Sequence, residues 1–465
     1  MSVMSNRNFV LKTSASLLRT YLSPVFHHEH NNAYHHTLAD VMKKIAIHSV
    51  DASLDLNYLC NDKNVDSIRK NIEVRKGAGD IDKVVSLYEQ FLRSENDMNL
   101  KQKLTEAALQ VPNETHPEVL RYGSESRVLT TTGTKPTFDF PAKTFPELTT
   151  PHNLYRSEKI TNLCGEKSYF LSGNLASLET AVVKYALSYL VKNGFRLISV
   201  PDILKKNVIK YCGMTTDGER HQIFKLDEEL YGKDWCLSGT SEMAIANYLR
   251  NRTFTTAELP LNFAAVSRCF RAETSNLVDE KGLYRVQQFT KVEMFSVCCP
   301  SASAGMLESF RSHQETLFTD LGLHFQTLDM AAHELGAQAY RKYDIEAWMP
   351  GRKKFGEISS CSDCTDYQAR RLNIKCDDKF AHTVNGTACA APRLLLALAE
   401  THQTQDGNIK IPQVLQKFTG FENLVEDIEK QQKYTLSNVM THKYKYWDQD
   451  SKTLVPKIKS KKKKK

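Results

Sequence analysis

Hydrophobic and polar positions follow two different periods along the chain. Residues 50–111 follow a helical period, and the apolar side chains of the second half share one face, namely Val84, Val85, Leu87, Phe91 and Leu92. A Gly-Ala-Gly break at 77–79 precedes Asp80, whose carboxylate can accept hydrogen bonds from the free N–H groups of a helix start. Since Pro112 cannot continue a helix, the pattern predicts helical segments that end before it.

The pattern changes after Pro112. Residues 112–150 are rich in Pro, Thr and Gly, which predicts a linker or an extended crossing segment. Beyond 150, helix-like runs at 175–190 and 393–401 alternate with strand-like runs at 196–201, 262–269 and 284–295. These strands are more numerous than a simple βαβ series gives. The sequence therefore predicts an α+β fold, in which a mixed or antiparallel sheet is flanked by helices.

Motifs and composition exclude several classes of protein. The chain has no GxGxxG and no GxxxxGK[ST] sequence, which argues against Rossmann and P-loop nucleotide binding. Its 465 residues are 41% hydrophobic and 25% charged, as in globular proteins and unlike fully disordered or fibrous ones. It contains no uninterrupted apolar run of about 18 residues, so no transmembrane helix is expected.

The net charge of +8 is concentrated at the C-terminus, because residues 451–465 hold eight lysines and no acid. Without them the chain has equal numbers of basic and acidic residues. A polyanionic partner would thus meet local basic surfaces or the basic tail, 441–465. The alternative is a tail that is only solvated.

The first thirty residues resemble a targeting segment. They carry Arg7, Lys12 and Arg19, and no acid precedes Glu29. Leu11, Leu17, Leu18 and Leu22 fall roughly on one helical face, so residues 1–30 predict a mitochondrial presequence. A merely disordered terminus is the alternative. The histidines that follow, between 27 and 36, are interpreted as incidental.

The cysteines indicate a reducing compartment. Eleven of them, an odd number, are scattered along the chain without the close, even spacing of a disulfide framework. Cys361 and Cys364 form one CxxC pair. A structural zinc ion needs four ligands, and no spacing in the chain points to the second pair.

Polar clusters at 237–242, 269–293, 357–360 and 385–393 interrupt apolar segments. In a strand, one face would carry Arg285, Gln287, Phe289, Lys291 and Glu293. Burying such charges is costly unless they are paired or bind a ligand. The residue types suit a phosphoanhydride and an ammonium group: arginine forks for phosphates, hard oxygens for Mg²⁺, an aromatic ring for a base and carboxylates for the ammonium. A set of structural salt bridges is the alternative.

These segments resemble the signature motifs of class II aminoacyl-tRNA synthetases, and specifically of seryl-tRNA synthetases. Residues 270–273 with 282–295 are similar to motif 2, and 194–201 are similar to motif 1, which forms the dimer interface. The Thr-Ser-Glu at 240–242 stands where the family has its serine-sensing Thr-x-Glu. The stretch 357–371 resembles the strand before motif 3, and 384–393 is most similar to the animal mitochondrial branch.

The resemblance implies a class II catalytic domain over 112–440 and a role for each matching residue. The implied ATP-binding residues are Arg271, Ala272, Glu273, Val286, Phe289, Glu357, Ile358, Ser359, Ser360 and Arg393. The implied serine-binding residues are Thr240, Ser241, Glu242, Arg271, Glu293 and Thr387. Glu357 and Ser360 would also hold Mg²⁺, and the catalytic roles would fall to Arg271, Glu357 and Arg393.

The implied activity is that of a mitochondrial serine–tRNA ligase of the matrix. Serine would be activated with ATP to seryl-adenylate, and the seryl group would then pass to tRNA(Ser). A homodimer is expected, with a paralogous partner subunit as the alternative, and no membrane is involved.

Three departures from the family pattern stand out. Asp363 replaces a usual Asn and would add negative charge near the serine pocket, while Ala388 and Pro392 occupy positions that many relatives fill with Gly. The N-terminal tRNA-binding arm, placed at 50–111, is short: two helices sharing 76–111 would each reach about 20 Å. A catalytically inactive, synthetase-like paralogue that binds tRNA or protein is therefore the second hypothesis.

Overall fold

The computed structural model describes residues 52–77, 79–94, 97–157, 164–165, 167–216, 221–273 and 282–425. The predicted presequence with its histidines and the basic tail lie outside the described residues, as do residues 426–440 of the predicted catalytic domain. Within the described part, no helix combines the length and the apolar character that crossing a membrane requires.

The helices of the described residues are α1 (Leu56–Leu59), α2 (Asp62–Val74), α3 (Ile81–Arg93), α4 (Met98–Ala108), α5 (Phe145–Thr149), α6 (Gly173–Lys192), α7 (Lys206–Tyr211), α8 (Glu228–Tyr231), α9 (Ser241–Tyr248), α10 (Ser303–Asp320), α11 (Tyr367–Leu372), α12 (Ala391–Thr401) and α13 (Gln413–Thr419). Helices α6 and α12 confirm the two helical runs predicted after residue 150.

The strands are β1 (Arg127–Thr132), β2 (Tyr155–Arg156), β3 (Phe170–Leu171), β4 (Arg196–Leu197), β5 (Ile203–Lys205), β6 (Trp235–Leu237), β7 (Thr253–Phe254), β8 (Leu261–Phe270), β9 (Gln288–Cys298), β10 (Phe325–Asp329), β11 (Arg341–Met349), β12 (Lys354–Asp363), β13 (Lys375–Cys376), β14 (Lys379–Phe380) and β15 (His382–Ala390). Strand β8 confirms one predicted strand. Strand β9 confirms the predicted strand at 284–295 only from Gln288 onward, because Gly282–Tyr284 forms a 3-10 helix, and Arg285 and Gln287 lie before the strand. The predicted strand at 196–201 is reduced to the two residues of β4.

Eight of these strands form one sheet in the order β1-β10-β11-β12-β15-β9-β8-β4. All neighbours are antiparallel except β4 and β8, which are parallel. Helices α6, α10 and α12 pack on one face of this sheet over the largest hydrophobic core. The mixed sheet flanked by helices is the fold that the sequence predicted. Helices α7, α9 and α11 cover part of the other face over a second core, and polar side chains of the central strands collect on that face beside it.

The N-terminal helices form a short antiparallel pair with its own core. Asp80 accepts a hydrogen bond from the N–H of Lys83 (3.0 Å) and so begins α3, as predicted. Asp97 begins α4 in the same way, through the N–H of Asn99 (2.8 Å). Since α3 has 13 residues and α4 has 11, neither exceeds about 20 Å, which agrees with the expected short arm.

Arg75 joins these helices to the large sheet. Its side chain is buried and donates to the backbone carbonyl of Asn113 (3.1 Å), just after the helices, and to that of Ala339 (2.8 Å), just before β11. No carboxylate is among its hydrogen-bond partners in the described residues, and burial lowers its pKa to about 10. Since a buried guanidinium needs such acceptors, Arg75 fixes the end of α2 against the segments that carry Asn113 and Ala339.

The segment 112–150 is more ordered than a linker. It contains α5 and also β1, which pairs with β10 and forms the edge of the large sheet. The prediction of an extended segment is confirmed for β1, but the linker interpretation is wrong there. The error arises because β1 is stabilised by pairing with a strand about 200 residues away, which no local pattern reveals.

Candidate active site

The candidate site lies on the sheet face opposite the helices α6, α10 and α12. On β9 the alternation predicted from the sequence holds: Val292 and Met294 enter the helix-covered core, so Lys291 and Glu293 point the other way. Glu293 is paired across the sheet with Thr387 of β15. This face carries two groups of side chains, the carboxylate pocket (Thr240, Glu242, Glu293) and the arginine cluster (Arg271, Glu357, Arg393).

Glu242 of the carboxylate pocket is held by dedicated partners. Thr240 caps the start of α9 by accepting from the N–H of Glu242 (3.4 Å), which turns Glu242 inward from the first helical turn. One oxygen of the Glu242 carboxylate accepts from Gln368 Nε2 (2.5 Å), and the other accepts from Asn385 Nδ2 (2.7 Å). Gln368 is fixed in turn by the hydroxyl of Thr383, which donates to its Oε1 (2.8 Å).

The two carboxylates of the pocket lie close enough to repel each other. Burial, followed by the charge of Glu293, raises the pKa of Glu242 to about 7. Burial also raises the pKa of Glu293, although an ion pair with Lys291 opposes the shift. Two buried carboxylates with one ammonium leave negative charge uncompensated, so the pocket favours a further cation.

In the arginine cluster, Arg393 projects from the first turn of α12. It donates from one guanidinium nitrogen to the side chain of Glu357 (2.9 Å) and to its backbone carbonyl (3.1 Å), and from Nε to the carbonyl of Tyr284 (3.0 Å). Burial opposes ionisation of Glu357, but Arg393 and Lys342 outweigh it and lower its pKa to about 2. The Glu357 side chain keeps 37% of its exposure, so an ionised oxygen faces the open site.

Arg271 is the member of the arginine cluster that lies next to the carboxylate pocket. It follows the last residue of β8, and its Nε approaches the carbonyl of Gly239 at 3.5 Å. Its guanidinium stands 5.3 Å from the ring centre of Phe289. The positive charge of Arg271 lowers the pKa of both Glu293 and Glu357, although other effects on each carboxyl are larger. The structure therefore brings the predicted arginines, carboxylates and aromatic ring onto one face.

The predicted ATP-binding residues near Arg271 differ in what they present to the site. Glu273 is ion-paired with Arg285 (2.8 Å), and the N–H of Ala272 donates to the carbonyl of Gln222 (3.1 Å). Val286 is buried in the main core. Of these predicted ATP-binding residues, Glu273 presents a charged side chain, whereas Ala272 and Val286 contribute backbone and shape.

Some predicted residues have side chains engaged elsewhere. Ile358 sits in a β-bulge between Glu357 and Ser359, and its side chain is buried in the main core. The hydroxyl of Ser359 donates to the carbonyl of Thr387. Ile358 and Ser359 can therefore line the site with backbone only. Ser241 is also buried, and its hydroxyl has no hydrogen-bond partner among the described residues.

Asp363 does not lie where the sequence suggested. Its carboxylate accepts from the N–H of Thr365 (2.8 Å) and is also bound by the hydroxyl of Ser303 on α10, on the helix-covered side of the sheet. There it lines a cavity of about 660 Å³, together with His382 and residues of the N-terminal helices. The prediction that Asp363 adds charge to the serine pocket is wrong, because the register of β12 turns it to the other face.

Glu357 and Ser360 provide oxygen donors of the kind that Mg²⁺ binds. Glu357 is ionised and half-exposed, and Ser360 is partly exposed across from Asp344 of β11. Hard oxygen donors of this kind fit Mg²⁺, which completes its shell with water and phosphate oxygens. Within the described residues, no group of three or more His, Cys, Asp or Glu side chains is arranged to hold a metal ion. Cys361 and Cys364 are both buried free thiols.

Sequence reasoning assigned no supporting role to the residues that hold the carboxylates. Gln368 and Asn385 bind Glu242, Lys291 pairs with Glu293, and Arg285 pairs with Glu273. Gln368 is fully buried on the short helix α11, where Arg371 is buried as well, so no local pattern marks Gln368 as the partner of Glu242.

Comparisons with known proteins agree with this geometry. The family model described as the tRNA synthetase class II core domain (G, H, P, S and T) matches residues 224–402. The mitochondrial serine–tRNA ligase of Mus musculus is 39% identical over 388 residues, which cover 82% of this chain and 72% of that relative.

Two solved structures are similar over most of their length. The cytoplasmic serine–tRNA ligase of Naegleria fowleri in complex with AMP has a TM-score of 0.70 and 26% identity, covering 80% of this chain and 98% of its own. The seryl-tRNA synthetase of Pyrococcus horikoshii complexed with ATP has a TM-score of 0.67 and 26% identity, covering 83% of this chain and 95% of its own. The chain belongs to the seryl-tRNA synthetase family of class II aminoacyl-tRNA synthetases.

Proposed function

We propose that the protein is an ATP-dependent serine–tRNA ligase of the mitochondrial matrix. One observation carries the proposal: two buried carboxylates and two arginines share one face of the sheet, with Arg271 between them. The pocket favours a small cation, and the arginines favour a polyphosphate. The relatives are named serine–tRNA ligases, mitochondrial in the mouse, and solved relatives were crystallised with AMP and with ATP.

In the first step, serine binds in the carboxylate pocket and ATP binds over the arginine cluster. Glu242 and Glu293 would receive the serine ammonium, and Thr240 and Thr387 would complete the pocket around it. Phe289 would stack on adenine, with Glu273 at its edge. This arrangement points the serine carboxylate at the α-phosphorus, and the attack gives seryl-adenylate and pyrophosphate.

Catalysis comes from alignment and charge stabilisation. Arg271 would neutralise the charge that develops on the α-phosphate, and Arg393 would bind the far end of the triphosphate. For Arg393 this requires exchanging part of its pairing with Glu357 for phosphate oxygens. Glu357 and Ser360 would hold Mg²⁺, which supplies further neutralisation of the phosphate charge when bound. A terminal ribose hydroxyl of tRNA(Ser) then takes the seryl group.

The carboxylates also explain why the inactive paralogue is the weaker hypothesis. Glu242 is supported by Gln368 and Asn385, and Glu293 by Lys291. A protein without the reaction would have no use for a buried, negatively charged pocket of this kind, since replacement by apolar residues is often stabilising.

Serine-dependent ATP–pyrophosphate exchange tests the activity directly. The purified full chain should catalyse exchange that depends on serine and on Mg²⁺. Tight tRNA binding without any exchange would overturn the proposal and favour the inactive paralogue. Replacing serine with alanine controls for specificity, because a pocket that binds a hydroxyl discriminates against its absence by about 10⁴-fold. Threonine keeps the hydroxyl and tests instead whether the pocket excludes an extra methyl group.

Binding of tRNA would use the short helical pair α3 and α4 together with the basic tail. Lysine contacts to phosphates make binding steeply salt-dependent. Deleting residues 457–465 should therefore weaken tRNA binding mainly at low salt. An unchanged dissociation constant at low salt would show that the tail is not used.

We also propose a dimer through the motif 1 region. Val191 at the end of α6, Leu197 of β4 and Ile203 of β5 leave 50%, 62% and 48% of their surface exposed in the single chain. Neighbouring exposed apolar side chains typify an interface. Light scattering of the full chain should give the mass of two chains, and Leu197→Asp should give the mass of one.

A further inference from the structure

Two cysteines outside the candidate site have their sulfur atoms in contact. The Sγ atoms of Cys299 and Cys376 lie 3.1 Å apart, although the residues are far apart in sequence. Cys299 directly follows β9, and Cys376 ends β13. Both are free thiols. The separation exceeds the S–S bond length of about 2.05 Å by roughly 1 Å, so a small side-chain rotation would allow a bond.

The backbone on both sides of this contact is held in place. Cys376 pairs with Phe254 of β7, and the next residue, Asp377, donates its N–H to the Phe254 carbonyl (2.7 Å). The hydroxyl of Thr256 donates to Asp377 Oδ2 (2.6 Å). On the other side, the carbonyl of Cys299 accepts from the N–H of Ala302 (2.9 Å). The proximity of the sulfurs is therefore built into the fold.

The two thiols differ in accessibility. Cys299 is partly exposed, whereas Cys376 is 4% exposed. Burial, together with the contact to Cys299, raises the pKa of Cys376 to about 11. A soluble disulfide would consequently meet Cys299 first. The adjacent Cys298 is fully buried and donates towards the carbonyl of His382 (3.7 Å), away from this pair.

We propose that Cys299 and Cys376 form a reversible disulfide when the enzyme meets a glutathione disulfide. The Cys299 thiolate attacks one sulfur of the oxidant, which forms a mixed disulfide and releases one glutathione thiolate. Cys376 then loses its proton to solvent and attacks the Cys299 sulfur, which releases the second glutathione. Two protein thiols are oxidised to one disulfide, and one glutathione disulfide is reduced to two glutathione molecules.

The bond would connect the end of β9 to β13, and both belong to segments that reach the carboxylate pocket. Strand β9 carries Glu293, and β13 follows shortly after α11, which carries Gln368, the partner of Glu242. Because the sulfurs already touch, the bond needs little movement of either element. We therefore expect the oxidised enzyme to gain several degrees in Tm and to keep its exchange activity within about twofold.

Peptide mapping of the full chain tests the proposal. The reduced enzyme is incubated with oxidised glutathione, alkylated and digested. The expected result is a peptide pair linking Cys299 to Cys376, which disappears after treatment with dithiothreitol. Complete alkylation of both cysteines, or a bond from Cys299 to Cys298, would overturn the proposal.

Variants separate the roles of the three thiols. Cys376→Ser should accumulate the mixed disulfide with glutathione at Cys299, because the resolving thiol is gone. Cys298→Ala is the matched control and should leave the linked peptide pair unchanged. Loss of the pair in Cys298→Ala, with the fold intact by circular dichroism, would contradict the assignment. The wild-type mapping decides the question even if a cysteine variant fails to fold.

Discussion

At the arginine cluster Arg393 and Glu357 pair with each other, whereas in the carboxylate pocket Glu242 is supported by neutral amides. Arg393 is bound to Glu357, whose side chain keeps 37% of its exposure. Glu242 is only 4% exposed, and its two oxygens accept from Gln368 and Asn385. The first arrangement is open and can exchange partners with an incoming ligand. The second is closed and fixed before any ligand arrives.

This difference matches what the proposed function requires each end of the site to recognise. A triphosphate with Mg²⁺ carries several charges and can adopt several conformations. Arg393 and Glu357 can adapt to it, because each can exchange its present partner for a phosphate oxygen or a metal ion. Serine is small, and its recognition depends on a few hydrogen bonds in a site without water, where unpaired groups are strongly penalised. We therefore expect substitutions in the arginine cluster to act on the rate and on ATP binding, and substitutions in the carboxylate pocket to act on serine binding.

The largest effect is expected from Arg271→Ala. Arg271 is the group nearest both ends, and its loss removes the charge that would stabilise the transition state at the α-phosphate. Serine-dependent exchange should fall by roughly 1,000-fold, with an unchanged circular dichroism spectrum. Arg311→Ala is a matched control, because Arg311 lies on α10 at the other face and pairs with Glu308 and Glu315. Exchange within tenfold of wild type in Arg271→Ala would contradict the role.

Glu242→Gln should act mainly on serine. The substitution keeps the shape of the side chain but removes the negative charge that would meet the ammonium. It also places the new NH₂ group opposite the NH₂ group of Gln368 or Asn385, so that two hydrogen-bond donors face each other. The KM for serine should rise by about 100-fold or more, while the KM for ATP changes by less than about threefold. Steady-state exchange kinetics measure both constants.

The same chemical change at Glu89 provides the control for Glu242→Gln. Glu89 lies on α3 with 58% of its side chain exposed, paired with Arg93. Glu89→Gln should leave both KM values unchanged. Equal increases in the KM for serine and for ATP in Glu242→Gln would show that the two ends of the site are not separate.

Arg393→Lys is expected to have an intermediate effect at the arginine cluster. Lysine keeps the charge but cannot donate at once to the side chain and carbonyl of Glu357 and to the carbonyl of Tyr284, as the guanidinium does. The KM for ATP should rise by about 10-fold, with the KM for serine nearly unchanged. A wild-type KM for ATP would show that charge alone suffices at this position.

Sequence reasoning predicted which side chains face the site better than it predicted the partners that hold them. The alternation from Phe289 to Glu293 gave the face of β9, because strand parity is a local property. The partners of Glu242 come from α11 and β15, more than 120 residues away, and only the fold brings them together. The face of Asp363 likewise depends on the register of β12 against its neighbours, which no single-strand pattern fixes.

The smallest effect, and the sharpest test of the closed end, is the pH dependence of serine binding. Because burial and Glu293 raise the pKa of Glu242 to about 7, its ionised fraction falls as the pH drops below 7. Only the ionised form offers a negative charge to the ammonium, so the KM for serine should rise about fivefold between pH 7 and pH 6. The KM for ATP should stay nearly constant, since the pKa of Glu357 is about 2.

Gln368→Leu shifts this profile in a defined direction. The Gln368 amide stabilises the ionised form of Glu242 and so opposes the rise in its pKa. Without it, the pKa of Glu242 should rise further, and the pH below which serine binding weakens should move upward. A profile of the KM for serine between about pH 5.5 and 8 detects the shift. If Gln368→Leu lowers only the stability of the fold, the pH profile of the KM for serine keeps its wild-type midpoint. That result would show that Gln368 does not set the pKa of Glu242.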